Sequence, residues 1–74
     1  MKTIGKNAKK IRELRNLTQE YVADALEMSQ SAYSRLENGE VKIDADMLEE
    51  MARIFEVTVD DIIHFDQKSL FNKK

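Results

Sequence analysis

Residues 17–39 read Leu17-Thr18-Gln19-Glu20-Tyr21-Val22-Ala23-Asp24-Ala25-Leu26-Glu27-Met28-Ser29-Gln30-Ser31-Ala32-Tyr33-Ser34-Arg35-Leu36-Glu37-Asn38-Gly39. Thr18 can cap a helix over residues 19–26, with Glu20 in its first turn favourable to the dipole and Val22, Ala23 and Leu26 as its apolar side. After a short break at Glu27-Met28, Ser29 can cap a second helix, from Gln30 to about Asn38. Gly39 stands where a left-handed C-terminal residue is needed. Tyr33 and Leu36, with Ala32, form the inner face of that helix, and Gln30, Ser31, Ser34 and Arg35 the outer one. A joint of roughly three residues forces the two helices to cross sharply, and the small Ala23 permits their close approach. The outer face carries an amide, two hydroxyls and a guanidinium. Such groups suit base edges, since Gln can pair bidentately with adenine and Arg with guanine.

On the N-terminal side, Ile4, Ala8, Ile11 and Leu14 recur in steps of four, three and three, a helical stripe that Asn16 and Leu17 end. On the C-terminal side a loop, residues 40–43, leads to Asp44, which can cap a helix with Leu48, Met51, Ala52 and Phe55 at i, i+3, i+4 and i+7. Val57 begins a turn. Thr58 can cap a fifth helix, with Asp61 as a capping-box-like acid and Ile62, Ile63 and Phe65 on its apolar side. No proline occurs, and the glycines are Gly5 and Gly39, so capping residues must supply the breaks. Val57-Thr58-Val59 alternates but is too short for a strand. The expected fold is all-α, with five short helices. The expected domain is residues 1–65, followed by a C-terminal tail, residues 66–74, that is polar except for Leu70 and Phe71.

A chain of 74 residues is one small domain. Its core leaves little room for an enzyme cleft, and it has no space for a separate ligand-sensing domain. The absence of cysteine excludes disulfides, thiolate nucleophiles and cysteine zinc sites, and fits a cytoplasmic setting. No apolar run approaches a membrane span or a secretory core. The net charge of −2 does not mark a nucleic-acid binder, but its distribution is uneven. Residues 1–18 hold six cations against Glu13, whereas residues 44–61 hold seven acids against Arg53. One end can face phosphate while the other faces away.

The 17–39 stretch resembles the helix-turn-helix of phage-repressor and Cro-like (Xre-type) regulators. The resemblance spans about residues 5–63. It is carried by Gln19 opening the bracing helix, Ala23 at its fifth position, the serine-rich segment after Ser29, and Leu36-Glu37-Asn38-Gly39. The spacing of Leu48, Met51, Ala52, Phe55 and Val57 is similar to the family's fourth helix and its exit. The resemblance implies a lambda-repressor-like five-helix domain. It implies that Ser29, Gln30, Ser31 and Arg35 face base edges, while Thr18, Gln19, Ser34, Asn38 and Lys42 lie at backbone phosphates. Gln19 would also buttress Gln30, and Arg12 and Glu37 would join the first helix to the end of the recognition helix. Two departures stand out. Glu27 occupies a position where the family often has glycine, at a cost of about 1 kcal/mol. Residues 40–45 carry one cation, Lys42, where relatives often carry several, which implies modest, salt-sensitive binding.

Other readings of these residues are structural. Lys9 and Lys10 read as solvated lysines or as groups near phosphate. Tyr21 and Tyr33 read as core or half-buried packing, and the methionines as gap fillers. His64 stands alone, without the partners a metal site needs. Ser29, Ser31 and Ser34 lack a local base, an oxyanion loop or a strained elbow, and no glycine-rich phosphate loop occurs. Neither an enzyme nor a cofactor is expected. Ile63, Phe65, Leu70 and Phe71 exceed what so small a monomer needs to cover, which suggests a homodimer reading a palindrome with two recognition helices about 34 Å apart. The expected function is a sequence-specific regulator of double-stranded DNA, acting as a repressor. The alternative is an antitoxin-like protein-interaction module whose acidic segment, residues 44–61, takes a basic partner.

Overall fold

The computed structural model describes residues 2–65 and contains five helices: α1 Lys2–Leu14, α2 Gln19–Ala25, α3 Gln30–Glu37, α4 Ala45–Phe55 and α5 Val59–Ile63. No strand occurs among the described residues. The two helices of the 17–39 stretch end one residue earlier than the periodicity suggests, because Leu26 and Asn38 serve as their C-caps.

Each start from α2 to α5 is set by one side chain. The Thr18 hydroxyl accepts from the Tyr21 N–H (3.0 Å), Ser29 from Ala32 (3.0 Å), Asp44 from Met47 (2.9 Å) and Thr58 from Asp61 (3.0 Å). The Asp61 carboxylate accepts in return from the Thr58 N–H (3.0 Å), which completes a capping box.

The stops of α1 to α4 share one geometry, and here the absence of proline is answered. Asn16, Glu27, Gly39 and Glu56 all have positive φ, at 59°, 59°, 81° and 60°. Behind each, the next residue donates to a carbonyl five positions back: Leu17 to Arg12, Met28 to Ala23, Glu40 to Arg35 and Val57 to Ala52. The positive-φ residue itself donates three positions back in all four cases. This is the Schellman pattern, and it satisfies carbonyls that a helix end otherwise orphans. Three of the joints are the same tripeptide in chemical terms: a left-handed residue, an apolar residue, then a hydroxyl cap. They are Asn16-Leu17-Thr18, Glu27-Met28-Ser29 and Glu56-Val57-Thr58. The apolar members, Leu17, Met28 and Val57, pack against the core. Glu27 thus takes the left-handed conformation in place of glycine, and its turn has the same hydrogen-bond pattern as the other three.

The core joins all five helices through Ile4, Ala8, Ile11, Val22, Ala23, Leu26, Tyr33, Leu36, Leu48, Met51, Ala52, Phe55 and Ile62. α3 packs on α1 and α2, and α5 packs on α1 and α4. The first helix is the strut. Asn7 Nδ2 donates to the Ile62 carbonyl (2.8 Å) and to that of Ile63 (3.3 Å), tying α1 to α5. Arg15 Nη2 donates to the Glu56 carbonyl (3.1 Å) at the end of α4. At Gly5 the backbones of α1 and α3 nearly touch: a β-carbon there would lie 2.3 Å from the Leu36 carbonyl oxygen. The need at Gly5 is close approach, since only a hydrogen fits in that space.

Candidate nucleic-acid interface

At about 100° per residue, positions 30, 31, 34, 35 and 38 fall on one arc of α3 and its C-cap, and positions 33, 36 and 37 on the opposite one. Burial divides the helix along the same line. Tyr33, Leu36 and Glu37 are buried, whereas Gln30, Ser31, Arg35 and Asn38 are exposed and Ser34 is half-buried. No intramolecular side-chain hydrogen bond engages Gln30, Ser31, Ser34 or Arg35 among the described residues, so their donors and acceptors are available to a ligand. The hydroxyl oxygens of Ser29 and Thr18 are used as caps, and each retains a proton to donate. Lys42 is exposed in the loop between α3 and α4.

Behind this face lies a buried polar cluster. Arg12 Nε donates to Glu37 Oε2 at 2.7 Å and Nη2 to Oε1 at 3.3 Å, a bidentate pair between α1 and α3. The Glu37 side chain is 1% exposed and that of Arg12 11%. Arg12 Nη1 also donates to the Leu17 carbonyl (2.8 Å). The Gln19 amide donates to Glu37 Oε1 at 3.1 Å. It makes no hydrogen bond to Gln30 among the described residues, so it braces α3 through the end of that helix rather than through its first residue. Burial pushes the Glu37 carboxyl pKa up. Hydrogen bonding from Arg12 and Gln19, the proximity of the Tyr33 phenol and the charge of Arg12 outweigh it, so the pKa lies below the ordinary carboxylate value. The Tyr33 hydroxyl is buried and stays short of hydrogen-bond geometry with that carboxylate. Burial, and then Glu37, raise its ionisation out of reach.

One other expectation is corrected by the structure. Tyr21 is not packing: it is 56% exposed, because it lies on the side of α2 away from Val22, Ala23 and Leu26. Ile63 and Phe65 are half-buried and packed against the core, while Leu70 and Phe71 lie outside the described residues. Asn7 and Gly5, which carry much of the α1 contact, escaped sequence reasoning. A glycine inside an otherwise regular helical stripe was the one signal available.

The surface charge is divided. α4 exposes Asp44, Asp46, Glu49 and Glu50, which with Met47 and Arg53 line an open groove. Lys6, Lys9 and Lys10 are exposed on α1. No group of three or more metal-binding side chains comes together, and no helix is long and apolar enough to cross a membrane, among the described residues.

A helix-turn-helix family model matches residues 9–62, well over half of the chain. The chain belongs to the Xre/Cro-like helix-turn-helix family. No curated protein and no solved structure gives a significant match. Membership in this family, together with the five helices, makes the fold lambda-repressor-like, with α2 and α3 as its helix-turn-helix. It also makes the chain a DNA-binding regulator of a generally non-enzymatic class.

Proposed function

We infer that residues 1–65 form a sequence-specific reader of double-stranded DNA that represses by occupying an operator. α3 enters the major groove, with Ser29, Gln30, Ser31 and Arg35 at base edges. Thr18, Gln19, Ser34, Asn38 and Lys42 fix its register on phosphates, which position the protein but carry no sequence information. The observation that carries this reading is the division of α3. Its outer arc is polar and uncommitted, while its inner arc is fixed by apolar packing and by the Arg12–Glu37–Gln19 cluster. A rigid helix with free donors loses little entropy when it meets bases.

One helix of eight residues reads only a few base pairs. A homodimer on a palindromic site, with Ile63, Phe65, Leu70 and Phe71 at its interface, doubles that number. Selection of bound sites from a random duplex pool tests both points. A two-fold symmetric consensus is expected, and Arg35→Ala should abolish the shift of the selected fragment. A pool that yields no enriched sequence and no shifted fragment overturns the reading.

The acidic groove of α4 supports a second reading, an antitoxin-like module that takes a basic protein partner. In that case no fragment shifts, and Asp46→Lys with Glu50→Lys abolishes partner binding while Arg35→Ala leaves it intact.

A further inference from the structure

We propose that Lys6 and Lys9 of α1, together with Asn38 at the end of α3, clamp a DNA phosphate beside the reading face and replace cations that the loop after α3 lacks. This rests on α3 as the base-reading helix. An open groove between the two elements is lined by Lys6, Lys9, Glu37 and Asn38. The lysines are three residues apart, hence neighbours on one side of α1, and both are exposed. Neither is in an ion pair among the described residues, so neither ammonium must give up a partner to meet an anion. Asn38 continues the arc of Gln30, Ser31, Ser34 and Arg35, so the groove opens where the reading face ends.

Two features of such a groove would normally repel phosphate, and both are neutralised. Glu37, which lines the groove, has its buried carboxylate held by Arg12 at 2.7 Å and by Gln19 at 3.1 Å, so its charge is balanced from the inner side. Two carbonyls near the end of α3 are also engaged. Those of Leu36 and Arg35 accept from Gly39 and Glu40, and the close approach at Gly5 covers the former. That approach places Lys6 and Lys9 alongside the end of α3. Residues 40–45 contribute only Lys42, so two cations from α1 triple the positive charge flanking the C-terminal half of the reading face.

The test is the salt dependence of binding by the full chain to a duplex selected from a random pool, read by fluorescence anisotropy. Lys6→Met and Lys9→Met keep the apolar stems and remove the charges. Each should flatten the slope of log affinity against log salt, and the pair together by about 0.9, the share of the one phosphate they clamp. The preferred sequence should not change. Arg53→Met removes one equal charge from the acidic α4 groove and should leave the slope as it was. A double lysine variant with the wild-type slope, or an Arg53→Met slope that falls as much as either lysine's, overturns the clamp while the DNA reading stands. A wild-type chain that binds no duplex overturns both. Circular dichroism melts of the variants verify that each binds as a folded protein.

Discussion

On its inner side α3 presents Tyr33, Leu36 and Glu37, all buried, the last in a bidentate pair with Arg12. On its outer side it presents Gln30, Ser31 and Arg35, exposed and without side-chain hydrogen bonds among the described residues. Eight residues therefore serve two separate purposes. The inner side fixes where the helix lies, and the outer side is left to meet something else. Substitutions should divide the same way: changes behind α3 act on stability, and changes in front act on binding. The comparison breaks wherever one change moves both.

The largest effect is expected behind the helix. Arg12→Ala leaves the Glu37 carboxylate buried without its cation, and breaking one partner of a buried pair costs about 3–5 kcal/mol. That is a large share of what so small a domain has, so urea unfolding should shift to much lower midpoints. The pair has a pH signature as well. The Glu37 pKa is depressed in the folded protein, so its contribution is fully present above the ordinary carboxylate value of about 4.5 and is lost as pH falls through the lower folded value. Melts of wild type and Glu37→Gln should therefore converge as the solution is acidified below about pH 4.5. Parallel curves would remove the carboxylate from the stability balance.

The front should respond in the opposite sense. Gln30→Ala removes a bidentate amide and should cost about 1–3 kcal/mol of discrimination at one or two base pairs. Its unfolding midpoint should stay at the wild-type value, because Gln30 is exposed and its side chain makes no hydrogen bond among the described residues. An unchanged consensus from the variant would remove Gln30 from the readout.

Gly5→Ala sharpens the comparison from the side of α1. In an exposed helix this change gains about 0.5–1 kcal/mol. Here the new methyl would sit 2.3 Å from the Leu36 carbonyl oxygen and 3.0 Å from that of Glu37, both backbone atoms that cannot rotate away. Overpacking costs about 1–3 kcal/mol, so the net sign is destabilising by about 1–2 kcal/mol. A thermal melt at or above the wild-type midpoint would mean that α1 and α3 are free to separate.

What could be read from the sequence follows the range of the forces involved. Thr18, Ser29, Asp44 and Thr58 cap helices by bonding residues three positions on, so their chemistry is visible in a short window. Gly39 was equally plain. Asn16 and Glu56 do not announce a left-handed conformation, because neither residue type demands it; the apolar residue and hydroxyl cap that follow each are the better signal. The interior of α3 followed from periodicity. Tyr21 did not, because a tyrosine suits both a core and a surface, and only its angle from Val22, Ala23 and Leu26 decides. Gln19, Asn7 and Gly5 act through partners 18, 55 and about 30 residues away. No local pattern encodes such pairings.

The smallest effect belongs to Lys42, the one cation between α3 and α4 and exposed to solvent. Phosphate contacts act through release of counterions, so Lys42→Ala should weaken binding to every duplex alike and flatten the salt slope by about 0.9. Its preferred sequence should match that of wild type, which separates it from Gln30→Ala. Its melting temperature should also match, which separates it from Arg12→Ala. A change in preferred sequence would place Lys42 at a base edge and extend the reading surface beyond α3. An unchanged slope would instead leave the loop off the DNA, and the lysines of α1 would then carry the positive charge at that end of the recognition helix.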